Sequence, residues 1–160
     1  MSKDYLNANI GDYPVYSSQT ANNGMLGKIK TYDYDGEYLT WTTDGANAGS
    51  VFYRNGKFSV TNVCGLLKAK SADVNMKYLA YYLGLIAKQY VNAGMGNPKL
   101  MSNVMEKIPA AIPPLAEQER IVDILDKFDA LVNDISIGLP AEINARRKQY
   151  EYYRDKLFNF

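Results

Sequence analysis

Two periodicities divide this chain. In residues 30–41, KTYDYDGEYLTW, tyrosine, threonine, leucine and tryptophan alternate with polar positions on both sides of Asp35-Gly36, and residues 50–60, SVFYRNGKFSV, repeat the device around Asn55-Gly56. A period of two puts successive side chains on opposite faces of a strand, and Asp-Gly or Asn-Gly supplies the positive φ of a type I′ turn. The first half is therefore predicted to be β-structure with two hairpins, tipped at Asp35-Gly36 and Asn55-Gly56. From Asp73 the period lengthens. Leu79, Leu83, Ile86 and Tyr90 recur at helical spacing, with Asp73 or Asn75 placed to cap the first turn.

Two polar, glycine-bearing stretches interrupt these elements. TTDGANAGS, residues 42–50, lies between the predicted hairpins, with Gly45 and Gly49 free to take positive φ. NAGMGNPKLMSN, residues 92–103, follows the predicted helix, which its glycines and Asn97-Pro98 break. Long polar loops on a scaffold of strands are where binding residues tend to sit, although each also reads as a solvated connector. VMEKIPAAIPP then reads as a short strand or extended linker.

From Pro114 the chain is predicted to be helical. Proline suits a first helical turn because its missing N–H would have no partner there, and Glu117 and Glu119 sit at the positive end of the helix dipole. Ile121, Ile124, Phe128, Leu131 and Ile135 follow the three-four spacing of a coiled-coil seam. Gly138 stops this helix and Pro140 starts another, so two helices are expected, over about 114–136 and 140–158. In the second, Ile143, Tyr150, Tyr153, Leu157 and Phe160 fall on one stripe, and Glu142 and Arg146 form a favourable i,i+4 pair. The first helix would be roughly 32 Å long at 1.5 Å per residue, more seam than a cap on a small domain requires. The expectation is a projecting helical arm that meets a partner's helices, rather than two helices folded back as core. Tyr150, Tyr152, Tyr153, Phe158 and Phe160 crowd its far end, where packing against a partner is expected.

Composition refines this division: residues 1–112 as a globular domain and residues 113–160 as the helical region. With 47% apolar and 22% charged residues the chain can bury a proper core. The net charge of +1 is unevenly spread, with 11 Lys/Arg against 8 Asp/Glu in residues 1–112 and 7 against 9 in residues 113–160. A slightly basic head on a slightly acidic tail is a weak hint of nucleic acid. Cys64 is the single cysteine, so no intramolecular disulfide forms; it lies in an apolar run, VCGLL, as a buried structural thiol in a reducing cytoplasm. No apolar run approaches the ~18 residues of a membrane span, and a soluble protein is expected.

The chemistry the sequence lacks is also informative. The chain has no histidine, which removes histidine bases, histidine metal ligands and the Ser-His-Asp triad. No lysine has an acid two residues before it, as in many metal-dependent nucleases, and neither a Gly-x-Gly-x-x-Gly nor a Walker phosphate loop occurs. Asn97-Pro98 is followed by Lys99 and so does not continue as the Asn-Pro-Pro-Tyr signature of adenine methyltransferases. Asp33, Asp35 and Glu37 read as hairpin residues rather than a carboxylate catalytic pair. The chain is not expected to be an enzyme by itself.

The segments GDYPVYSSQTANNGMLGKI, TYDYDGEYLTWTTDGANAGSVFY and GKFSVTNVCGLLK resemble a target-recognition domain of type I restriction–modification specificity subunits. GNPKLMSNVMEKIPAAIPPLAEQERIVDILDKFD and GLPAEINARRKQYEYYRDKLFNF resemble the end of that domain and the conserved helical region after it. The resemblance implies an α+β fold: a β-hairpin-rich recognition domain followed by a coiled-coil-like spacer and dimerisation arm. It implies a non-catalytic subunit that selects the DNA sequence, reading one half of a bipartite site in double-stranded DNA. DNA methyltransferase subunits would dock on the helices and bind S-adenosylmethionine, and a motor-endonuclease subunit would use ATP; no cofactor is expected on this chain. With one recognition domain and one helical region it has about half of the usual chain, as a natural half-subunit, a rearranged fragment or a trimmed chain would. Pairing with a copy of itself or with a different half would complete the subunit, and a two-fold axis would give an interrupted palindrome as target. The competing reading is an assembly or decoy half that binds methyltransferase or another specificity chain without reading DNA.

Base readers are expected among Asn, Gln, Thr, Arg and Lys on loops. The candidates are Thr43 and Asn47 in the first loop, Arg54 and Lys57 at the second hairpin tip, and Asn97 and Lys99 in the second loop; Gln19, Asn22 and Asn23 come next. Tyr32, Tyr34, Tyr38 and Trp41 are read as cross-strand packing before base stacking. The partner-facing positions are Ile121, Ile124, Phe128, Leu131, Ile135, Tyr150, Tyr153 and Leu157.

Overall fold

The computed structural model describes residues 1, 3–94, 96–133 and 138–157. The fold is α+β. A short helix α1 (Lys3–Ala8) leads into β1 (Ile10–Tyr16), followed by a 3-10 turn (Ala21–Gly24), β2 (Met25–Ile29), β3 (Tyr34–Thr42), β4 (Val51–Val60) and β5 (Cys64–Leu67). Helix α2 (Met76–Ile86) runs on into a 3-10 turn (Ala87–Tyr90), and α3 (Ser102–Met105), α4 (Leu115–Asn133) and α5 (Gly138–Leu157) complete the chain. The strands form one sheet in the order β2-β1-β4-β3-β5, with β1 and β4 parallel and the other pairs antiparallel.

Neither predicted hairpin tip is a turn. β3 and β4 pass through Asp35-Gly36 and Asn55-Gly56 and pair with each other, Asp35 opposite Lys57 and Gly36 opposite Gly56. Both glycines keep the positive φ that suggested turns, 119° and 96°. They spend it on deforming two paired strands, which glycine permits for want of a Cβ. The actual hairpin loop is residues 43–50, the stretch expected to connect two hairpins, and the ladder runs from Trp41 opposite Val51 to Tyr34 opposite Phe58. One long hairpin wins because it assembles an aromatic cluster. Phe58, 1% exposed, has the rings of Tyr16, Tyr34 and Tyr38 at 5.7, 5.6 and 5.5 Å. Tyr34 and Tyr38 thus pack across strands.

The main core lies on the other face of this hairpin. Leu39 and Trp41 meet Met76, Leu79 and Leu83 of α2, with Ala87, Leu100, Met105 and Ile108 closing the cluster. Asn75 caps α2, its Oδ1 accepting from the N–H groups of Lys77 and Tyr78 at 2.9 and 3.0 Å, a contact worth ~1 kcal/mol. The segment read as strand or linker from Val104 begins instead as the single turn α3, and Met105 and Ile108 point into the core. A second cluster, Leu6, Val15 and Ile29, seats α1 on β1 and β2.

The chain forms two compact units, Met1–Gln118 and Glu119–Phe160. The break falls inside α4, six residues beyond the 112/113 boundary drawn from sequence. Gln118 explains the displacement. It is fully buried, its Oε1 accepts from the Asn75 N–H at 2.8 Å, and its Nε2 donates to the carbonyls of Asp73 and Pro113 at 2.7 and 2.8 Å. The Tyr78 hydroxyl donates to the Ala111 carbonyl at 2.8 Å, fastening the preceding linker.

In the second unit, Ile124, Phe128 and Leu131 of the predicted seam are exposed, at 39, 61 and 48%, while Ile121 is half-buried and its neighbour Val122 is buried. Gly138 is the first described residue of α5, and the end of the first helix, between Asn133 and Gly138, lies outside the described residues. Pro140 sits in the first turn of α5, where a missing N–H costs nothing. Leu139, Ile143 and Tyr152 are exposed, and Arg146 donates to Glu142 at 2.9 Å as expected. Ile135, Phe158 and Phe160 and the side chains of Tyr150, Tyr153 and Leu157 lie outside the described residues.

Candidate nucleic-acid interface

Three polar loops are joined by hydrogen bonds. Residues 43–50 are closed by the Gly49 N–H on the Thr42 carbonyl and the Ser50 N–H on the Asn47 carbonyl, at 2.9 and 3.1 Å. Residues 92–99 close on themselves through Asn92 and Lys99, whose backbones exchange hydrogen bonds at 2.9 and 3.0 Å. The two loops are stitched together. The Gly45 N–H donates to the Pro98 carbonyl at 3.0 Å, the Leu100 N–H to the Thr43 carbonyl at 2.8 Å, and Asp44 forms a bridge with Lys99. The indole N–H of buried Trp41 donates to the Leu100 carbonyl at 2.9 Å, anchoring both loops to the core. The third loop, residues 17–24, joins through the Asn47 Nδ2, which donates to Thr20 Oγ1 at 3.2 Å.

This arrangement sorts the predicted readers. Thr43, Asn47, Asn97 and Lys99 come together, and Gln19, Asn22 and Asn23 join them. Of these, Asn22, Asn23, Asn47, Asn97 and Lys99 are exposed. The Thr43 hydroxyl donates inward to the Val63 carbonyl at 2.8 Å, and the Gln19 amide donates to the Met25 carbonyl. Lys57 sits instead among Tyr13, Tyr32 and Asp35. It pairs with Asp35 in the β3–β4 ladder, and its ammonium stands 4.7 Å from the Tyr32 ring. Hydrogen bonding to Tyr32, with the Tyr32, Tyr13 and Asp35 charges, raises its pKa.

Arg54 is the clear correction. Expected at an exposed tip, it is 3% exposed, because its strand runs on where a turn was predicted. Its guanidinium lies 3.6 Å from the Tyr16 ring and 4.8 Å from that of Phe52. Nε donates to Thr40 Oγ1 at 3.0 Å and Nη2 to the Asn23 carbonyl at 2.7 Å. Burial lowers its pKa, opposed by Tyr16 and Cys64, yet a guanidinium stays charged at any ordinary pH. Burial likewise pushes the Cys64 thiol up to about 11, against the smaller pull of Arg54 and Thr40, so it is protonated and unreactive at neutral pH.

Sequence reasoning passed over Thr20 and Asn92, which shape the loops. Asn92 Oδ1 accepts from the Gly94 N–H at 2.9 Å, the Asx turn that Asn-x-Gly favours and the available signal for it. No group of three or more His, Cys, Asp or Glu among the described residues could hold a metal ion, and no described helix is long and apolar enough to cross a membrane.

The model of the type I restriction modification DNA specificity domain matches residues 1–145. The chain belongs to this family. Relatives in the specificity-domain family include the type I restriction enzyme MpnII specificity subunit of Mycoplasma pneumoniae, 48% identical over 160 residues, covering 100% of this chain and 48% of that one. The fold is similar to the crystal structure of a type I restriction-modification system S subunit from M. genitalium, with TM-score 0.64 and 18% identity over 99% of this chain and 41% of that one. It is also similar to a chain from a structural study of complex assembly and conformational transition of the type I R-M system, with TM-score 0.57, 20% identity, and 88 and 37% covered. This specificity-domain chain spans about half the length of the curated relatives it matches.

Proposed function

We propose that this chain is a non-catalytic reading head that recognises one half of a bipartite sequence in double-stranded DNA. The observation that carries this reading is that backbone hydrogen bonds join the loops at residues 43–50 and 92–99, the Asn47–Thr20 bond ties in the loop at 17–24, and Asn22, Asn23, Asn47, Asn97 and Lys99 are exposed on them. Amides supply paired donors and acceptors for base edges, and a lysine supplies a phosphate contact. The family, whose members are DNA specificity domains, supports the same reading.

The helices supply the second half of the proposal. The exposed apolar residues Ile124, Phe128 and Leu131 of α4, with Leu139 and Ile143 of α5, favour pairing with the helices of a second copy or another specificity chain. The described length of α4, 19 residues or about 28 Å, is nearly one DNA turn and suits a spacer between half-sites. DNA methyltransferase subunits dock on this scaffold and carry S-adenosylmethionine; a motor-endonuclease subunit with ATP joins through the complex, in the cytoplasm.

The test is methylome sequencing of cells expressing the partner methyltransferase with and without this chain. Adenine methylation at a two-part site with a fixed spacer, present only with the chain, is the expected result. A complex that forms while the methylation pattern stays unchanged would leave an assembly or decoy role in its place.

A further inference from the structure

Within the three joined loops one segment departs from ordinary backbone geometry. Asn22 (φ 51°, ψ 38°) and Asn23 (φ 53°, ψ 36°) are both left-handed, and Gly24 follows at φ 80°. They are the only positive-φ residues other than glycine among the described residues. Consecutive left-handed L residues persist only where their surroundings over-determine them. Here the surroundings do so from every side. The Met25 N–H donates to the Asn22 carbonyl, the Ser17 N–H to the Gly24 carbonyl at 3.0 Å, and the Gln19 amide to the Met25 carbonyl. The Asn23 carbonyl receives buried Arg54 at 2.7 Å, a guanidinium itself held by Thr40 and the Tyr16 and Phe52 rings.

Burying a cation is costly, and this one is spent on holding a surface turn. What the turn presents is two exposed carboxamides that take no hydrogen bond from any described residue. Their neighbours are committed: the amide of Asn47 to Thr20, that of Gln19 to Met25, the hydroxyl of Thr43 to Val63. Asn97 and Lys99 also carry uncommitted groups, but they lack the braced left-handed backbone.

We infer that Asn22 and Asn23 are specificity-determining residues, each presenting its carboxamide to the N6/N7 edge of an adenine, with Arg54 as the buried positioning residue. A carboxamide both donates and accepts, which matches adenine in the major groove, and a rigid backbone delivers it without an ordering cost on binding. The inference rests on the proposed reading of DNA by this head.

Asparagine is also the L residue that best tolerates left-handed backbone, so the two asparagines could serve conformation alone. Glycine separates the roles, since it keeps that conformation and removes the amide. The complex of the full chain with its methyltransferase is compared with its Asn22→Gly and Asn23→Gly variants by methylome sequencing, DNA binding across a salt series and thermal denaturation. Each variant is expected to melt close to the parent. Each relaxes one position of the half-site, losing about ten- to a hundred-fold discrimination for adenine, while the spacer and the salt slope stay the same. Asn22→Asp and Asn23→Asp, which also tolerate left-handed backbone but only accept hydrogen bonds, move the preference towards cytosine. An unchanged motif in both the glycine and the aspartate variants overturns the inference, as does a parent half-site with only G·C pairs outside the methylated base. A parent chain that neither binds DNA nor directs methylation overturns the reading beneath it, and the inference with it.

Discussion

The side-chain carbonyl of Gln118 accepts the backbone N–H of Asn75 at 2.8 Å, while the side-chain carbonyl of Asn75 caps helix α2. Two consecutive contacts therefore couple the root of α4 to the first turn of α2, across 43 residues of sequence. Both amide hydrogens of Gln118 are also spent, on Asp73 and Pro113. Gln118→Ala takes the partner from three part-buried backbone groups, those of Asn75, Asp73 and Pro113. A loss of about 1–3 kcal/mol is expected, at ~0.5–1.5 kcal/mol net for each hydrogen bond with part of it recovered by water, measured by urea denaturation. Gln118→Leu, close in size, should recover little of it, because the loss is polar and not volumetric.

Gly65 stands opposite Trp41 in the β3–β5 ladder, and a Cβ there would lie 2.2 Å from the indole ring. Gly65→Ala must push aside a ring that also holds the Leu100 carbonyl. The expected cost is about 1–3 kcal/mol, the usual range for overpacking. Trp41 is the single tryptophan, so its fluorescence reports both the unfolding midpoint and the displacement of the ring.

Alkaline pH should weaken the fold through Cys64. Burial raises its thiol from 9.0 to about 11, so the folded state holds the proton more tightly than the unfolded chain does. The contribution is complete below pH 9 and disappears as pH rises through about 11. Denaturation midpoints from pH 8 to 11 should fall, and less steeply in Cys64→Ala once its constant cavity cost is subtracted. Alkylation by iodoacetamide at pH 8 should be slow in the folded protein and fast in urea.

Phe128 is 61% exposed on α4, next along the stripe from Ile124. If the stripe is a pairing surface, Phe128→Glu removes a large apolar contact and buries a charge in its place. Self-association should weaken by about 2 kcal/mol or more, the scale of an interface hot spot, with the unfolding midpoint of the Met1–Gln118 unit unmoved. Light scattering over a concentration series measures the first and tryptophan fluorescence the second. A parent chain that stays monomeric at high concentration, alone and with methyltransferase, would remove the pairing reading.

Local chemistry was legible from residues alone. Of the two capping candidates, Asp73 and Asn75, it is Asn75 that caps α2, and of the helical stripe Leu79 and Leu83 are buried, Ile86 is half-buried and Tyr90 is exposed. The polar loops at residues 42–50 and 92–103 were recognisable by glycine and asparagine content. Asp35-Gly36 and Asn55-Gly56 misled, because positive φ is required both by a tight turn and by a deformed pair of strands, and composition does not separate the two. Arg54 misled for the same reason: the tip that would have exposed it does not exist.

The sequence by itself determined that the first half is β-structure, that helices follow from Asn75 and from Pro114, where the polar loops fall, and the resemblance to the specificity-domain family, since these depend on neighbours a few residues apart. Tertiary structure alone decided that Gly36 faces Gly56, that Arg54 is buried beneath Asn23, and that three loops are joined by hydrogen bonds. Those outcomes depend on which distant surfaces bury one another best, the Phe58 aromatic cluster and the Trp41 core, a competition over the whole chain that no local period records.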